Sequence, residues 1–255
     1  MNHKFRYPIP TQPGYHIPDR LHAPRGKPLK QGHKQLMKAI IFDCDGVLVN
    51  SETLTAIAYK RVYARHGLTI APKAFSAMLG MKQTDILANL RGEEGGLLPA
   101  EASGELTEEI LSLLGQKVRH TPGLTTFMDR LDLPYCVASS SDVPRIRLSL
   151  ATAGILDRFD GRIFSSSMVA NGKPAPDLFL LAAERLGVDP GDCVVFEDSV
   201  AGVTAAVAAG MTPIGYIGGE HLPRGHDSKL RAAGAREIIQ DWHAAESFLK
   251  RGIRS

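Results

Sequence analysis

Short apolar segments alternate with longer helical segments from residue 38 onward, and this alternation constrains the fold more than any other feature of the chain. The apolar segments are AIIF (39–42), YCVA (135–138), RIF (162–164), CVVF (193–196) and PIGYI (213–217). Such an alternation is typical of parallel strands that are joined by helical crossovers. The sequence therefore predicts a parallel β-sheet that is covered by helices on both faces.

A stretch of more than 90 residues between the first two apolar segments contains predicted helices and no predicted strand. These helices are expected at 51–66, about 72–90 and about 105–115, separated by glycine-containing breaks. One crossover needs only about a dozen residues, so the excess forms a unit of its own. We predict an α/β fold with a Rossmann-like, three-layer core formed by residues 37–50 and 120–255, and an inserted α-helical cap subdomain formed by residues 51–119.

The first 36 residues contain six prolines and no apolar periodicity. Such a segment cannot bury enough apolar surface to offset the entropy of ordering, so we predict a basic, proline-rich and mostly disordered extension. Residues 1–37 hold seven Lys or Arg and one acid, whereas the formal net charge of the whole chain is +3. The remainder of the chain is therefore slightly acidic, which disfavours nucleic acid as a partner.

The bulk composition, with 44% hydrophobic and 22% charged residues, is typical of a soluble globular protein. No run approaches the roughly 18 apolar residues of a membrane-spanning helix, and the N-terminus lacks the apolar stretch of a secretory signal. Cys44, Cys136 and Cys193 lie far apart beside apolar runs, which favours buried thiols over a disulfide framework. We expect a cytoplasmic protein with no membrane association.

Two carboxylates directly follow the first predicted strand. AIIF continues into Asp43-Cys44-Asp45-Gly46, and Gly46 allows the chain to turn sharply after the pair. Side chains alternate along an extended segment, so Asp43 and Asp45 lean the same way, roughly 6–7 Å apart. Open α/β sheets bind ligands at the carboxyl ends of their strands, so both carboxylates are candidates to act on one substrate.

A pair of this kind suits phosphate-ester chemistry. One ionised carboxylate can act as the nucleophile, while the second protonates the leaving group and then activates water. A phosphate dianion repels an attacking carboxylate, so the reaction needs a cation such as Mg²⁺. The alternatives for the short motif are a plain turn and a calcium loop, but the apolar Val47 stands where a calcium loop needs a third oxygen ligand.

Three more polar motifs follow later strands. Ser139 and Ser140 precede a predicted helix and either bind a phosphate with its N-terminus or act as plain helix caps. Lys173 lies in the stiff loop NGKPAPD, where it is either a fixed positive charge for a phosphoryl group or a solvated lysine. Glu197 and Asp198 follow the fourth strand and are either metal ligands or helix caps. Because all four motifs follow strand ends, we predict one metal and phosphate site.

These motifs resemble those of the haloacid dehalogenase superfamily, specifically its β-phosphoglucomutase-like and sugar-phosphate phosphatase branch with a helical cap after the first strand. The resemblance covers about residues 38–240 and rests on FDCDGVLVNSE (42–52), ASSS (138–141), GKPAPD (172–177) and FEDSVAG (196–202). It implies that Asp43 forms an aspartyl-phosphate and that Asp45 is the acid and base. It further implies that Ser139 and Lys173 bind the phosphoryl group.

The resemblance also implies a Mg²⁺ cofactor. Its expected ligands are Asp43, the backbone carbonyl of Asp45, and Asp198, with Glu197 as an outer or additional ligand. The family commonly has Asp where Asn50 stands in this chain, but that position is outside the chemistry.

Members of the superfamily differ in their reaction, and several positions favour simple hydrolysis here. Dehalogenases lack an acid two residues after the nucleophile, whereas this chain has Asp45. β-Phosphoglucomutases have a histidine where this chain has Thr55, and an arginine in the cap loop where it has Lys82 and Gln83. We therefore predict a Mg²⁺-dependent phosphatase that acts on a small phosphate monoester, a sugar or sugar-acid phosphate, with Lys82 and Gln83 as candidate substrate contacts.

Two alternatives remain open at this point. One is a sugar phosphomutase of the β-phosphoglucomutase type, and the other is a non-catalytic scaffold whose basic extension binds an acidic partner. The intact pair of Asp43 and Asp45 argues against an inert scaffold. The expected partner is a small phosphorylated metabolite, and the expected state is a monomer or a weak dimer.

Overall fold

The computed structural model describes residues 37–71, 74, 78, 80–93 and 95–253 of the chain. Its centre is a six-stranded sheet in which all neighbouring strands are parallel. The strands are β1 (Ala39–Phe42), β2 (Tyr135–Ser139), β3 (Ile163–Ser165), β4 (Cys193–Glu197), β5 (Thr212–Tyr216) and β6 (Glu237–Ile239). Their spatial order is β3-β2-β1-β4-β5-β6, a doubly wound order that switches direction between β1 and β4.

The five predicted strands are confirmed, with shifts of at most one residue at their ends. β6 is absent from the prediction because its run, EII, is too short to be distinguished from the helices around it. It pairs with β5 and extends the sheet by one strand.

Helices cover the sheet and form the cap. They are α1 (Ser51–Arg65), α2 (Gln83–Asn89), α3 (Ala102–Lys117), α4 (Leu124–Met128), α5 (Val143–Thr152), α6 (Asp177–Leu186), α7 (Val200–Ala208), α8 (His226–Ala233) and α9 (Trp242–Ile253). Short 3₁₀ turns lie at Leu156–Phe159, Ser166–Met168 and Pro190–Asp192. The first three helices belong to the cap, and the others belong to the core.

The central strands are buried on both faces. Ile40 and Phe42 of β1 pack in the same apolar cluster as Trp242 of α9, while the alternate residues of β1 pack under α6 and α7. Phe42 stacks on Phe196 of β4 with ring centroids 5.5 Å apart, and Trp242 packs edge-on against both rings. Strands buried in this way read as continuous apolar runs, which is why they are visible in the sequence. The same packing fixes the carboxyl ends of β1 and β4.

The cap is joined to the core by two neighbouring segments. Asn50 and Arg119 lie side by side there: the backbone N–H of Asn50 donates to the carbonyl oxygen of Arg119, and the backbone N–H of Arg119 donates to Oδ1 of Asn50 at 2.8 Å. Within the cap, two arginines of α1 form ion pairs with two glutamates of α3 at N–O distances of 2.8 Å. The insertion thus starts and ends at one place beside the sheet.

The helix expected at about 72–90 is only partly among the described residues. Its C-terminal part is α2, and two residues just before α2 have non-helical backbone, with φ +81° at Gly80 and ψ 146° at Lys82. A positive φ of this size is readily adopted by glycine and rarely by other residues. We refer to residues 80–82 as the cap loop; Gln83 is the first residue of α2.

The predicted fold class, an α/β core with an inserted helical cap, is confirmed. No helix in the described ranges is long and apolar enough to cross a membrane. All three cysteines are free and buried. The predicted disorder of residues 1–36 lies outside the described residues.

Candidate active site

The candidate site lies where the strand order switches between β1 and β4. Phe42 pairs with Phe196 at the ends of these strands, and the backbone N–H of Asp43 donates to the carbonyl oxygen of Phe196 at 2.9 Å. Asp43 directly follows β1 and Asp198 directly follows β4, and the two residues are 6% and 4% exposed. The crevice at such a switch point is the usual ligand site of open α/β sheets. The fold thus brings the first and the last of the four polar motifs together.

Lys173 connects Asp43 to Glu197. Its ammonium donates to Oδ1 of Asp43 at 2.5 Å, to Oε1 of Glu197 at 2.6 Å and to the carbonyl oxygen of Ala138 at 3.1 Å. All three N–H donors are used, so this is not a solvated loop lysine. Burial alone would lower the pKa of Lys173, but the two carboxylates outweigh burial and raise the pKa. The loop NGKPAPD therefore supplies a fixed, buried positive charge beside the candidate nucleophile.

Both oxygens of Glu197 are engaged by other protein groups. Oε1 accepts from Lys173, and Oε2 accepts from the backbone N–H and the hydroxyl of Ser199, each at 2.9 Å. Ser199 in turn caps α7, since its hydroxyl accepts from the backbone N–H of Gly202. In this arrangement Glu197 holds Lys173 in place. Its part as an outer or additional metal ligand stays a prediction.

Gly202→Ala is expected to disturb this charged contact. A Cβ at residue 202 would lie 1.8 Å from Oε1 of Glu197, so the carboxylate would have to move away from Lys173. We expect the free energy of unfolding, measured with urea, to fall by about 1–3 kcal/mol, and turnover to fall with it.

Gly104→Ala is the matched control for this change. Gly104 lies in α3, and a Cβ at that position meets no atom within 4 Å. Because alanine favours the helix more than glycine does, the control is expected to be as stable as wild type or up to about 1 kcal/mol more stable. If Gly202→Ala behaves like this control, Glu197 does not occupy the position described.

Four side chains from two parts of the chain, residue 51 and residues 139–145, hold Asp45. Oδ1 accepts from Ser51 at 2.5 Å and lies 3.4 Å from Nη2 of Arg145. Oδ2 accepts from Ser141 at 2.7 Å and from Ser139 at 3.1 Å. Burial alone would raise the pKa of Asp45, but Arg145 and the hydroxyls outweigh burial and lower the pKa. In this geometry Asp45 is an ionised acceptor, the form that can remove a proton from water.

The two predicted phosphate-binding serines have different contacts. Ser139 is 1% exposed; its hydroxyl donates to Asp45 and accepts from the backbone N–H of Ser141. The hydroxyl of Ser140 donates to the carbonyl oxygen of Gly80 in the cap loop at 2.8 Å. Ser139 therefore lies beside the candidate acid and base, whereas Ser140 links the core to the cap. Phosphate binding by either residue stays a prediction.

The carboxylates of Asp43 and Asp198 lie close to other negative charges. Burial raises the pKa of both carboxyls well above the usual range; Lys173 lowers it in part, and neighbouring carboxylates raise it further. Within the described ranges, no three His, Cys, Asp or Glu side chains form a metal-binding cluster. Mg²⁺ usually takes only one or two carboxylates, and water and substrate phosphate complete its shell. The two buried carboxylates of Asp43 and Asp198 fit that cation.

A cavity of about 280 Å³ opens between the cap and the core. Its walls include Asp43 and Asp45 from the core and both predicted cap residues, Lys82 and Gln83. The Lys82 side chain lies against the loop NGKPAPD. A Cβ added at Gly172 of this loop would be 2.4 Å from Cε of Lys82. The cavity is at the small end of ligand pockets, which range over about 300–1,000 Å³, and so suits a small molecule.

Glu52 also lines this cavity and is 8% exposed. Burial, followed by the negative charges of Asp45 and Asp198, raises the pKa of Glu52 from 4.5 to about 7. Between these values the folded state binds more protons than the unfolded state, so this carboxyl makes the protein less stable as the pH rises. Glu52→Gln removes the effect. With EDTA present, we expect its stability relative to wild type to increase by up to about 3 kcal/mol between pH 5 and pH 8.

The control for this pH dependence is Glu101→Gln, because Glu101 is exposed. Its stability relative to wild type is expected to be the same at both pH values. A Glu52→Gln variant with an equally flat difference would mean that Glu52 is ionised throughout this range. Urea unfolding at the two pH values measures both variants.

Several residues that contact the site were missed by the sequence analysis. Arg145 lies in the first turn of α5, just after the serine run. His221 and His226 follow β5, and Nε2 of each lies within 2.8 Å of an oxygen of Asp198. The rule that polar residues after parallel strands meet at one edge would have identified both histidines.

The chain is similar to known hydrolases. Residues 37–210 match the family model of haloacid dehalogenase-like hydrolases. The chain is 28% identical over 187 residues to 6-phosphogluconate phosphatase of Escherichia coli strain K12, an alignment that covers 72% of this chain and 85% of the relative. It is 33% identical over 177 residues to fructose-1-phosphate phosphatase YqaB of the same strain, with 69% and 94% covered.

A solved structure shows the same architecture. The haloacid dehalogenase-like protein ATU0790 of Agrobacterium tumefaciens strain C58, described as of unknown function, superposes with a TM-score of 0.74 and 32% identity, covering 84% of this chain and 98% of that one. The chain therefore belongs to the haloacid dehalogenase-like hydrolases, and the predicted family is confirmed. Within that family it is a phosphatase of small phosphate monoesters, as predicted.

Proposed function

We propose that this phosphatase is Mg²⁺-dependent and hydrolyses a sugar phosphate or a sugar-acid phosphate through a phosphorylated Asp43. The observation that carries the proposal is the buried 2.5 Å contact between Lys173 and Asp43 at the base of a small cavity. A lysine in this position favours the ionised form of the carboxylate and attracts a phosphoryl group to it.

Asp43 is the nucleophile in this mechanism. Lys173 donates to Oδ1 of Asp43, which leaves Oδ2 to attack phosphorus. A bond forms between this oxygen and phosphorus while the ester O–P bond breaks, so the phosphoryl group is transferred to Asp43. The Lys173 ammonium stabilises the negative charge that develops on the phosphoryl oxygens.

Asp45 transfers the protons in both steps. It gives a proton to the departing alkoxide oxygen, and it then takes a proton from the water that attacks phosphorus, which releases inorganic phosphate and restores Asp43. Its contacts with Ser51, Ser139 and Ser141 favour the ionised form required for the second step. A bound phosphate dianion raises the pKa of a nearby carboxyl, which supplies the protonated form for the first step.

The metal ligands in this proposal are Asp43, Asp198 and the backbone carbonyl oxygen of Asp45. When bound there, Mg²⁺ neutralises part of the charge on the phosphoryl group. Glu197, which is engaged by Lys173 and Ser199, would act outside this set or as an additional ligand.

The substrate class is supported by the relatives and by the cavity. The two named relatives act on a phosphorylated sugar acid and a phosphorylated sugar, respectively. Lys82, Gln83 and Arg145 line the cavity together with the hydroxyl of Thr55. These groups can donate hydrogen bonds to the hydroxyl and carboxylate oxygens of such molecules. Lys82 and Gln83 are therefore the cap residues that we assign to substrate contact.

We place this activity in the cytoplasm, with a small phosphorylated metabolite as the partner. The buried free thiols of Cys44, Cys136 and Cys193 suit a reducing compartment. The proposed state is a monomer or a weak dimer that needs neither nucleic acid nor a membrane.

The test is phosphate release from a panel of small esters that includes hexose phosphates and 6-phosphogluconate, with either Mg²⁺ or EDTA. We expect phosphate release to require Mg²⁺ and to be fastest with a sugar phosphate or a sugar-acid phosphate. Conversion of β-glucose 1-phosphate to the 6-phosphate without phosphate release would instead identify a phosphomutase. Inactivity in both assays would favour the non-catalytic scaffold if the protein also binds nucleic acid in a salt-dependent way and loses this binding when residues 1–36 are deleted.

A further inference from the structure

A segment after β5 contacts Asp198 at two points. Residues 217–225 connect β5 to α8 and include His221, and α8 begins at His226. Nε2 of His221 lies 2.8 Å from Oδ2 of Asp198, and Nε2 of His226 lies 2.6 Å from the backbone oxygen of Asp198. One segment therefore holds both the side chain and the main chain of a candidate metal ligand.

Both histidines are shielded from water. The side chain of His221 is 7% exposed, and His226 is buried. A His221 ring with its proton on Nε2 donates a hydrogen bond to Oδ2 of Asp198.

Two glycines make room for the ring of His221. A Cβ at Gly219 would lie 2.4 Å from Cε1 of the ring, and a Cβ at Gly46 would lie 2.9 Å from the same atom. The Cβ at Gly46 would also lie 2.0 Å from Oδ2 of Asp198. The backbone thus approaches the pair from the loop after β1 and from the loop after β5. Only residues without a side chain allow that approach on both sides.

We propose that His221 is a positioning residue of the metal site, which binds Oδ2 of Asp198 and thereby turns the other carboxylate oxygen toward a divalent cation. His226 supports this role because it holds the main chain of Asp198. The inference rests on the metal site of the proposed function. Carboxylates that bind metals are commonly fixed by such a second hydrogen bond, and its loss typically weakens metal binding about 10–100-fold.

The test measures the affinity of the full chain for Mn²⁺, used as a paramagnetic substitute for Mg²⁺, by following the EPR signal of free Mn²⁺ in the absence of substrate. His221→Leu is expected to weaken binding about 10–100-fold. His221→Gln, whose amide can still donate, is expected to recover part of this loss. His243→Leu is the matched control, because His243 is exposed, and is expected to bind like wild type.

Catalysis gives a second readout. For phosphate release by His221→Leu, the Mg²⁺ concentration that gives half of the maximal rate is expected to rise about 10–100-fold. The rate at saturating Mg²⁺ is expected to fall by a smaller factor. If His221→Leu does not fold, Gly219→Ala replaces it, because the added Cβ displaces the ring and leaves the histidine in the chain. The expected direction is the same.

The outcomes separate this inference from the proposed function. Wild-type Mn²⁺ affinity in His221→Leu, with an unchanged thermal midpoint in the absence of metal, would overturn the inference and leave the proposed function intact. No Mn²⁺ binding by the wild-type protein would overturn both the inference and the metal part of the proposed function. Phosphate release in EDTA would then show whether the phosphatase chemistry survives.

Discussion

Asp43→Asn is expected to reduce phosphate release from the best substrate of the panel by at least about 10⁴-fold. The amide cannot form the acyl-phosphate, but it has nearly the same shape and still accepts a hydrogen bond from Lys173. Because burial raises the pKa of Asp43, removal of its charge is expected to leave the free energy of unfolding in EDTA at pH 8 unchanged or higher. A rate assay and a urea titration of the same preparation measure both effects.

Asp132→Asn is the control for this substitution, because Asp132 is an exposed aspartate outside the cap. It is expected to retain the wild-type rate and stability. An Asp43→Asn protein that is folded and keeps a tenth or more of the wild-type rate would rule out Asp43 as the nucleophile. If Asp43→Asn is inactive because it does not fold, the prediction about its free energy of unfolding is wrong.

Lys173→Met is expected to lower both activity and stability. Methionine has a similar length but leaves the carboxylates of Asp43 and Glu197 buried without their cation. Breaking a buried ion pair by removing one partner typically destabilises a protein by about 3–5 kcal/mol, and we expect this loss at pH 8. The loss of the charge beside the phosphoryl group is expected to reduce turnover at least about 10²-fold.

The pH dependence identifies the cause of that instability. Without Lys173, the Asp43 carboxyl has a pKa further above its usual range, so it binds more protons in the folded than in the unfolded state and stability falls as the pH rises. The deficit relative to wild type is therefore expected to be smaller at pH 5 than at pH 8. Lys60→Met, at an exposed position of α1, is the control. A pH-independent deficit would point to altered packing instead.

The fold was largely predictable because its strands are buried on both sides. AIIF and CVVF contain apolar residues at every position, a pattern that distinguishes them from the amphipathic helices around them. The cap was predictable for a different reason, since no helical crossover needs so many residues. β6 was not predictable, because a run of three residues carries too little pattern.

The candidate site was predictable as a set of motifs but not as a set of contacts. Two of these residues, Asp43 and Asp198, directly follow a strand, and Lys173 lies in a rigid loop after β3. Parallel strands bring such positions to one edge of the sheet. The sequence does not show that Lys173 is shared between Asp43 and Glu197, because these residues are far apart in the chain. Their contact depends on the strand order, and only the folded sheet sets that order.

Some features of this protein follow from the sequence, whereas the contacts of the cap and of the loop after β5 do not. The α/β alternation, the inserted cap and the chemical identity of the carboxylates and the lysine can be derived from the sequence, because these are local properties of short segments. Tertiary structure alone decided that Ser140 bonds the cap loop, that Arg145 faces Asp45, and that His221 reaches Asp198. Each of these contacts joins residues more than 20 positions apart, so only the packing of whole elements could place them.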